Sequence, residues 1–277
     1  MKRIGLIVAA LALALVTASP AGAITRGGEL DGEDHPYVAL MVAQDQDGNP
    51  LWRCSGSFIS PTVYVTAGHC TEAPAARAAI WLASDVQSGI PQNGYPLTGD
   101  AAGTTYTHPL YDPAAFYLYD LGVVVLDAPL AAEQLDEFAS LPMAGAVDEL
   151  GHGRKEAVVT AVGYGLQAAS ANPVKPEKTI AERVRYQADL FVVNTRGAAG
   201  VGGIHLPSDQ PPTNSMILSG DAKHGGTCFG DSGGPALVGD TLVGVTSFGL
   251  NLNCGGIGGS FRIDRDVELG WISGFLS

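Results

Sequence analysis

From Tyr37 to Phe248 the chain is a succession of about ten short runs rich in β-branched and aromatic residues, each cut off by glycine, proline, asparagine or aspartate. The runs are Tyr37–Val42, Val63–Thr66, Ala79–Leu82, Thr104–Thr107, Leu121–Leu126, Ala157–Val162, Arg183–Val193, Ser215–Leu218, Pro235–Val238 and Leu242–Phe248. Between them lie turn or loop segments such as Asp47-Gly48-Asn49-Pro50, Gly89 to Gly94, Asn172 to Pro176 and Pro207 to Pro212. Strands that follow one another without intervening helices cannot build a parallel βαβ sheet, so an all-β sandwich or barrel is expected. The 37 glycines and 17 prolines, which have no three-residue period, fit the many turns of such a fold. Strand signals fade between residues 127 and 156, where the chain divides naturally in two. Only Asp264 to Leu276 can hold a helix of several turns, with Val267, Ile272, Phe275 and Leu276 available for an apolar side.

The first 23 residues read as an export leader. Lys2 and Arg3 form a basic start, Ile4 to Val16 is apolar, and Ala21-Gly22-Ala23 has the small-x-small form of a cleavage site. The apolar run is too short for a resident membrane helix, which needs about 20 residues. Cleavage after Ala23 would make Ile24 the first residue and deepen the net charge from -13 to -15, because Lys2 and Arg3 go with the leader. So acidic a chain lacks the basic surface needed to bind nucleic acid or an anionic membrane. The expectation is an exported, soluble monomer.

In an exported chain the four cysteines, Cys54, Cys70, Cys228 and Cys254, read as two disulfides, and no CxxC pair offers zinc spacing. Three pairings are open. The two local bridges, Cys54 to Cys70 and Cys228 to Cys254, would each stabilise by about 3 kcal/mol if unstrained.

Chemistry concentrates in three places. Gly230-Asp231-Ser232-Gly233-Gly234-Pro235 sets a serine among glycines, where the backbone can turn sharply and bring its N–H groups against a substrate carbonyl. The G-x-S-x-G pattern also fits the nucleophile elbow of an α/β-hydrolase, but that fold places its histidine after the serine. All six histidines here precede Ser232, so that alternative fails. His69, in Thr66-Ala67-Gly68-His69-Cys70, follows a strand-like run and is fixed by the neighbouring cysteine. Asp120 stands directly before the apolar run Leu121 to Leu126, where a carboxylate is costly without a partner. The Nδ1–H of His69 would supply one.

Together these segments resemble the chymotrypsin/trypsin-like serine proteases. Cys54-Ser55-Gly56-Ser57-Phe58-Ile59-Ser60 with Thr66-Ala67-Gly68-His69-Cys70 resembles that family's first disulfide and histidine box, and Asp120-Leu121 its aspartate box. Val162-Gly163-Tyr164-Gly165 is similar to its Gly-aromatic-Gly segment, Gly230 to Pro235 to its serine box, and Ser247-Phe248-Gly249 to its substrate-pairing strand. The likeness runs from about Ile24 to the end of the chain. It implies two six-stranded antiparallel barrels, about residues 24–135 and 136–263, with the active site between them and a C-terminal helix over about 264–277.

The resemblance also implies roles. Ser232 would be the nucleophile, His69 the general base and Asp120 its orienting carboxylate; the N–H groups of Gly230 and Ser232 would form an oxyanion hole. Cys54–Cys70 and Cys228–Cys254 match two of the family's disulfides. An N-terminal Ile24 ammonium would pair with Asp231, so that export itself would switch the enzyme on, although Thr25-Arg26-Gly27 departs from the family's usual Val-Gly-Gly. The specificity pocket would be formed by Gly226, Thr227 and Gly249, with Gly258 or Gly259 on a further wall. Gly226 stands where a trypsin-type pocket has its acid, so an open apolar pocket is expected, favouring Phe, Tyr, Leu or Met over Lys or Arg at the cleaved bond. Lys223 and His224 raise an acidic preference as the lesser reading. Substrates would be proteins or peptides, and no cofactor is required.

Other features read as structural. His35 and His108 each precede a proline and have no ligand-spaced partner. Asp45-Gln46-Asp47-Gly48-Asn49 superficially resembles a calcium loop but lacks its spacing, so a turn is expected and a structural calcium has no pattern behind it. Some relatives in the family survive as binding proteins after losing a catalytic residue; His69, Asp120, Ser232 and Gly230 are all present here.

Overall fold

The computed structural model describes residues 24, 28–151, 157–169, 180–197, 214–220, 224–251 and 253–276. The expected leader, Thr25-Arg26-Gly27, Lys223 and the two loops expected at 172–176 and 207–212 lie outside them.

Six antiparallel strands close a first barrel in the order β2-β3-β4-β7-β6-β5. They are β2 (Val38–Gln44), β3 (Pro50–Phe58), β4 (Val63–Thr66), β5 (Arg77–Trp81), β6 (Ala101–Thr107) and β7 (Gly122–Leu126). A second ring joins β8 (Val158–Gly163), β9 (Tyr186–Asn194), β10 (Ser215–Gly220), β13 (Gly256–Arg262), β12 (Thr241–Gly249) and β11 (Pro235–Val238), closed by pairing of β8 with β9. The short β1 (Glu29–Leu30) adds to the outside of β9. Closure removes sheet edges, which an open antiparallel sheet would leave unpaired.

All seven residues of β2 are buried. One face fills the first barrel and the other meets the second, as shown by the Tyr164 hydroxyl donating to the Val38 carbonyl and by the continuous core from Leu40, Phe58 and Trp81 to Leu237, Val245 and Phe261. Each such side chain contributes about 1.5–3 kcal/mol when taken out of water. Arg185, just before β9, reinforces the join. It is 1% exposed and donates Nε to Asp31 Oδ2 (2.6 Å), Nη1 to the Val38 carbonyl (2.7 Å) and Nη2 to the Gly32 carbonyl (2.7 Å). Asp31 also accepts from His35 Nδ1 (2.5 Å), so this charge is buried with its donors matched.

The ten sequence-expected strands are present, and three more appear. β3 is built partly of Arg53-Cys54-Ser55-Gly56-Ser57 and β13 around Gly256, Gly258 and Gly259, residues of low strand propensity recruited by pairing on both sides; β1 is only two residues long. The C-terminal helix α2 spans Asp266–Ser273, shorter than 264–277. Its expected apolar side is only partly used: Ile272 is buried, but Val267 and Leu276 are on the surface and Glu268 is buried instead. Trp271 and Phe275 pack against each other at 5.1 Å and provide the missing apolar contact.

Candidate active site

His69 sits in a single helical turn, α1 (Gly68–Thr71), that ends β4. The Cys54–Cys70 disulfide ties this turn to β3, with the α-carbons 6.2 Å apart. Asp120, across the barrel mouth, is fully buried. Its carboxylate accepts from the His69 backbone N–H at 2.9 Å, from His69 Nδ1 at 2.9 and 3.1 Å, and from the Ser247 hydroxyl at 2.5 Å. An ionised carboxylate only accepts, so Nδ1 carries the proton and Nε2 is left as the base. Burial alone would push His69 below its ordinary pKa, but the charge and hydrogen bond of Asp120 outweigh it and hold the imidazole above. The preceding residue, Tyr119, has φ 54°, an uncommon left-handed conformation for a tyrosine, and stacks on His108 at 5.2 Å.

Ser232 shares one cleft of about 400 Å³ with His69, Ser247, Phe248 and Gly249. A Ser232–His69 hydrogen bond is not among those formed by the described residues, as is common in substrate-free sites. The serine loop is clamped from β3: the Ser55 N–H donates to the Ser232 carbonyl and the Ser55 hydroxyl to the Gly230 carbonyl, both at 2.8 Å. Gly230 has φ 99°, which a side chain would strain, and a Cβ there would meet the Arg53 guanidinium at 3.0 Å. Neither the Gly230 nor the Ser232 N–H finds an acceptor among the described residues. These are the two amides expected of an oxyanion hole.

Behind the loop, Asp231 is fully buried and accepts from the N–H groups of Gly165 (2.7 Å) and Cys228 (2.8 Å). Burial raises its pKa to about 6, against the lowering effect of those two bonds and of the Arg53 charge. Ile24 is also fully buried, in the core of the second barrel with Ala188, Val192 and Met216. It lies beside Gly225, whose Cβ would be 3.2 Å from Ile24 Cγ2. With Ala23 still attached by a peptide bond, Ile24 has no ammonium, and the Ile24–Asp231 ion pair is not among those of the described residues.

Gly226, Thr227, Gly249 and Gly258 all line a second cavity of only about 10 Å³, much smaller than the open pocket expected from the sequence, beside the Cys228–Cys254 disulfide, whose α-carbons are 5.1 Å apart. No charged side chain lines it among the described residues. Gly259 lies under the ring of Phe248, its directly opposed residue on β12, and not only in the pocket wall. His224 packs edge-on to Phe191 at 5.0 Å.

This architecture and site can be set beside known proteins. A family model described as trypsin matches residues 24–267. The chain belongs to the trypsin family. It is similar to a trypsin of Saccharopolyspora erythraea, 28% identical over 229 residues, covering 82% of this chain and 86% of that one. Among solved structures, HL collagenase matches with a TM-score of 0.65 at 21% identity, covering 90% of this chain and 96% of that one. Human heparin binding protein matches with 0.62 at 22% identity and the same coverage, a likeness of fold alone. As a trypsin-family enzyme the chain is a serine endopeptidase that hydrolyses peptide bonds.

For this trypsin-family chain, sequence reasoning missed two features. Ser55 clamps the serine loop, although it was legible only as part of a disulfide box. Ser247, expected on the substrate strand, also bonds Asp120 directly. The donor atoms of Cys54, His69 and Cys70 lie close together, but both sulfurs are committed to a disulfide and cannot ligate a metal as thiolates. Asp45 accepts from the N–H groups of Asp47 and Asn49 and from the Asn49 side chain, each at 2.9 Å, and so closes a turn. No described helix is long and apolar enough to cross a membrane.

Proposed function

We propose that the chain is an exported endopeptidase in which Ser232 attacks the peptide carbonyl, His69 takes its proton and returns it to the leaving amine, and Asp120 holds the imidazole. The observation that carries this reading is the bonding of Asp120: a buried carboxylate that engages His69 through both backbone and ring leaves Nε2 for the cleft that Ser232 lines. The Gly230 and Ser232 amides stabilise the oxyanion, each such donor being worth about 100- to 1,000-fold in rate. The neutral lining of the pocket supports a preference for Phe, Tyr, Leu or Met over Lys or Arg, and its volume of about 10 Å³, room for one water, means that the pocket must widen to take such a side chain. Two disulfides and the leader-like first 23 residues support export, and removal of that leader would free Ile24 to pair with Asp231.

A fluorophosphonate probe should label the wild-type enzyme and not Ser232→Ala; an unlabelled wild type would overturn the assignment. Peptides ending in Phe, Lys or Glu before the scissile bond test the pocket, and a clear preference for Lys would refute the apolar reading. N-terminal sequencing of the secreted protein should begin at Ile24.

A further inference from the structure

Arginine is scarce in this chain, which carries 28 acidic residues against 15 basic ones. Arg77, Arg185, Arg262 and Arg265 are each held by an aspartate. Arg53 and Arg183 form no ion pair among the described residues. They are instead placed together. The Arg183 guanidinium lies over the Tyr95 ring, 5.3 Å from its centroid, with Nε 3.4 Å from the Tyr95 hydroxyl. Tyr95 is also a partner of Arg53, and each guanidinium is close enough for Arg53 to feel the charge of Arg183. Burial, together with that neighbouring charge, pushes Arg53 below its ordinary pKa. The buried Asp231 acts on Arg53 only as a nearby charge, so neither of these two half-buried like charges has a directly bonded acid among the described residues, an arrangement that a bound anion would relieve.

Their position says which anion. Arg53 lies flat against Gly230, with Nη2 3.0 Å and Nε 3.1 Å from where a Cβ would be, so nothing separates it from the oxyanion loop. The pocket lined by Thr227, Gly249 and Gly258 takes the acyl side of a substrate. His69 must protonate the leaving amine, so the leaving segment runs out past His69 and the Cys54–Cys70 bridge, where β3 presents Arg53.

We propose that Arg53 and Arg183 form a carboxylate-binding subsite on the leaving-group side of the cleft, selecting substrates with Asp or Glu in the first two positions after the cleaved bond. A planar guanidinium suits a carboxylate, and a charge-assisted hydrogen bond of this kind corresponds to a rate difference of about tenfold. The proposal rests on Ser232 and its loop being the catalytic centre.

The test uses the mature enzyme and quenched fluorescent peptides that share one apolar acyl side and carry Asp, Asn or Lys in the first or second leaving position. The wild type should cleave the Asp peptides about tenfold faster in kcat/KM than the Asn peptides, with Lys slowest. Raising the salt from 0.1 to 1 M should shrink the ratio as the screening length falls from about 10 to 3 Å. The Asp-to-Asn ratio should fall toward one in Arg53→Gln and in Arg183→Gln and be partly kept in Arg53→Lys; because it is a ratio within one variant, a general loss of activity cancels. Equal Asp and Asn rates in the wild type, or a ratio that survives in the double Gln variant, would overturn the proposal. No cleavage of any peptide together with no fluorophosphonate labelling would instead bring down the catalytic assignment on which it rests.

Discussion

Two aspartates flank the same serine, both buried, and they are served very differently. Asp120 accepts from an imidazole, a hydroxyl and an amide, three donors that match an ionised carboxylate. Asp231 accepts from two amides, and Arg53 acts on it only as a nearby charge. The first site is complete as it stands; the second, with its pKa near 6, lacks a directly bonded cation. On the proposed reading, the difference separates a group that takes part in the chemistry from one whose charge would be met by the Ile24 ammonium that cleavage would create.

Breaking the complete site should have the larger effect. Asp120→Asn removes the acceptor that fixes the His69 tautomer and should lower kcat/KM at neutral pH by about 10⁴-fold, the size known for this triad change. The same variant should move the acidic limb of the pH–rate profile downward, since Asp120 is what holds His69 up. An unchanged limb would mean that His69 is not the group being titrated.

Asp231→Asn tests the incomplete site. It should cost the mature enzyme about 100- to 1,000-fold in kcat by disordering the oxyanion loop. A form that keeps residues ahead of Ile24 should behave in the opposite sense with respect to stability. Its Asp231 has a raised folded pKa, so stability present below about pH 4 is lost as pH rises through about 6, by on the order of 3 kcal/mol. Thermal unfolding of that form should show this loss, and both its Asp231→Asn variant and the mature enzyme should lack it.

Ser247→Ala removes one of three donors to Asp120 and should lower kcat about tenfold with little change in KM. The smallest effect belongs to another buried carboxylate. Glu268 in α2 accepts from Asn214, while its other oxygen has no partner, and burial raises its pKa. Its contribution is therefore lost as pH rises, so Glu268→Gln should gain about 1 kcal/mol at pH 8 in chemical denaturation and nothing near pH 4.

Strands were legible wherever β-branched residues cluster, as in Gly122-Val123-Val124-Val125-Leu126. β3 and β13 were not, because serine and glycine at those positions serve close packing and become extended only when neighbours pair with them. The pairing of His69 with Asp120 could be read from two short segments, since each carries its own local geometry. The partners that hold the serine loop in place could not: Ser55 meets Ser232 across more than 170 positions, and nothing local to either marks the contact. In the helix the sequence pattern pointed to Val267, yet the fold buried Glu268, whose only side-chain partner among the described residues is Asn214.

The strand pairing of Glu29 with Gln187 and the seating of Arg185 on Asp31 and Gly32 together fix where the segment after Ile24 begins. Glu29 lies five positions after Ile24, a span of at most about 18 Å when fully extended. An end cut at Ile24 on so short a tether would stay close to the second barrel, in whose core Ile24 is buried, so its ammonium would be held there at a high effective concentration. Activation by such an end, as proposed above, would be intramolecular, and its equilibrium would not depend on protein concentration.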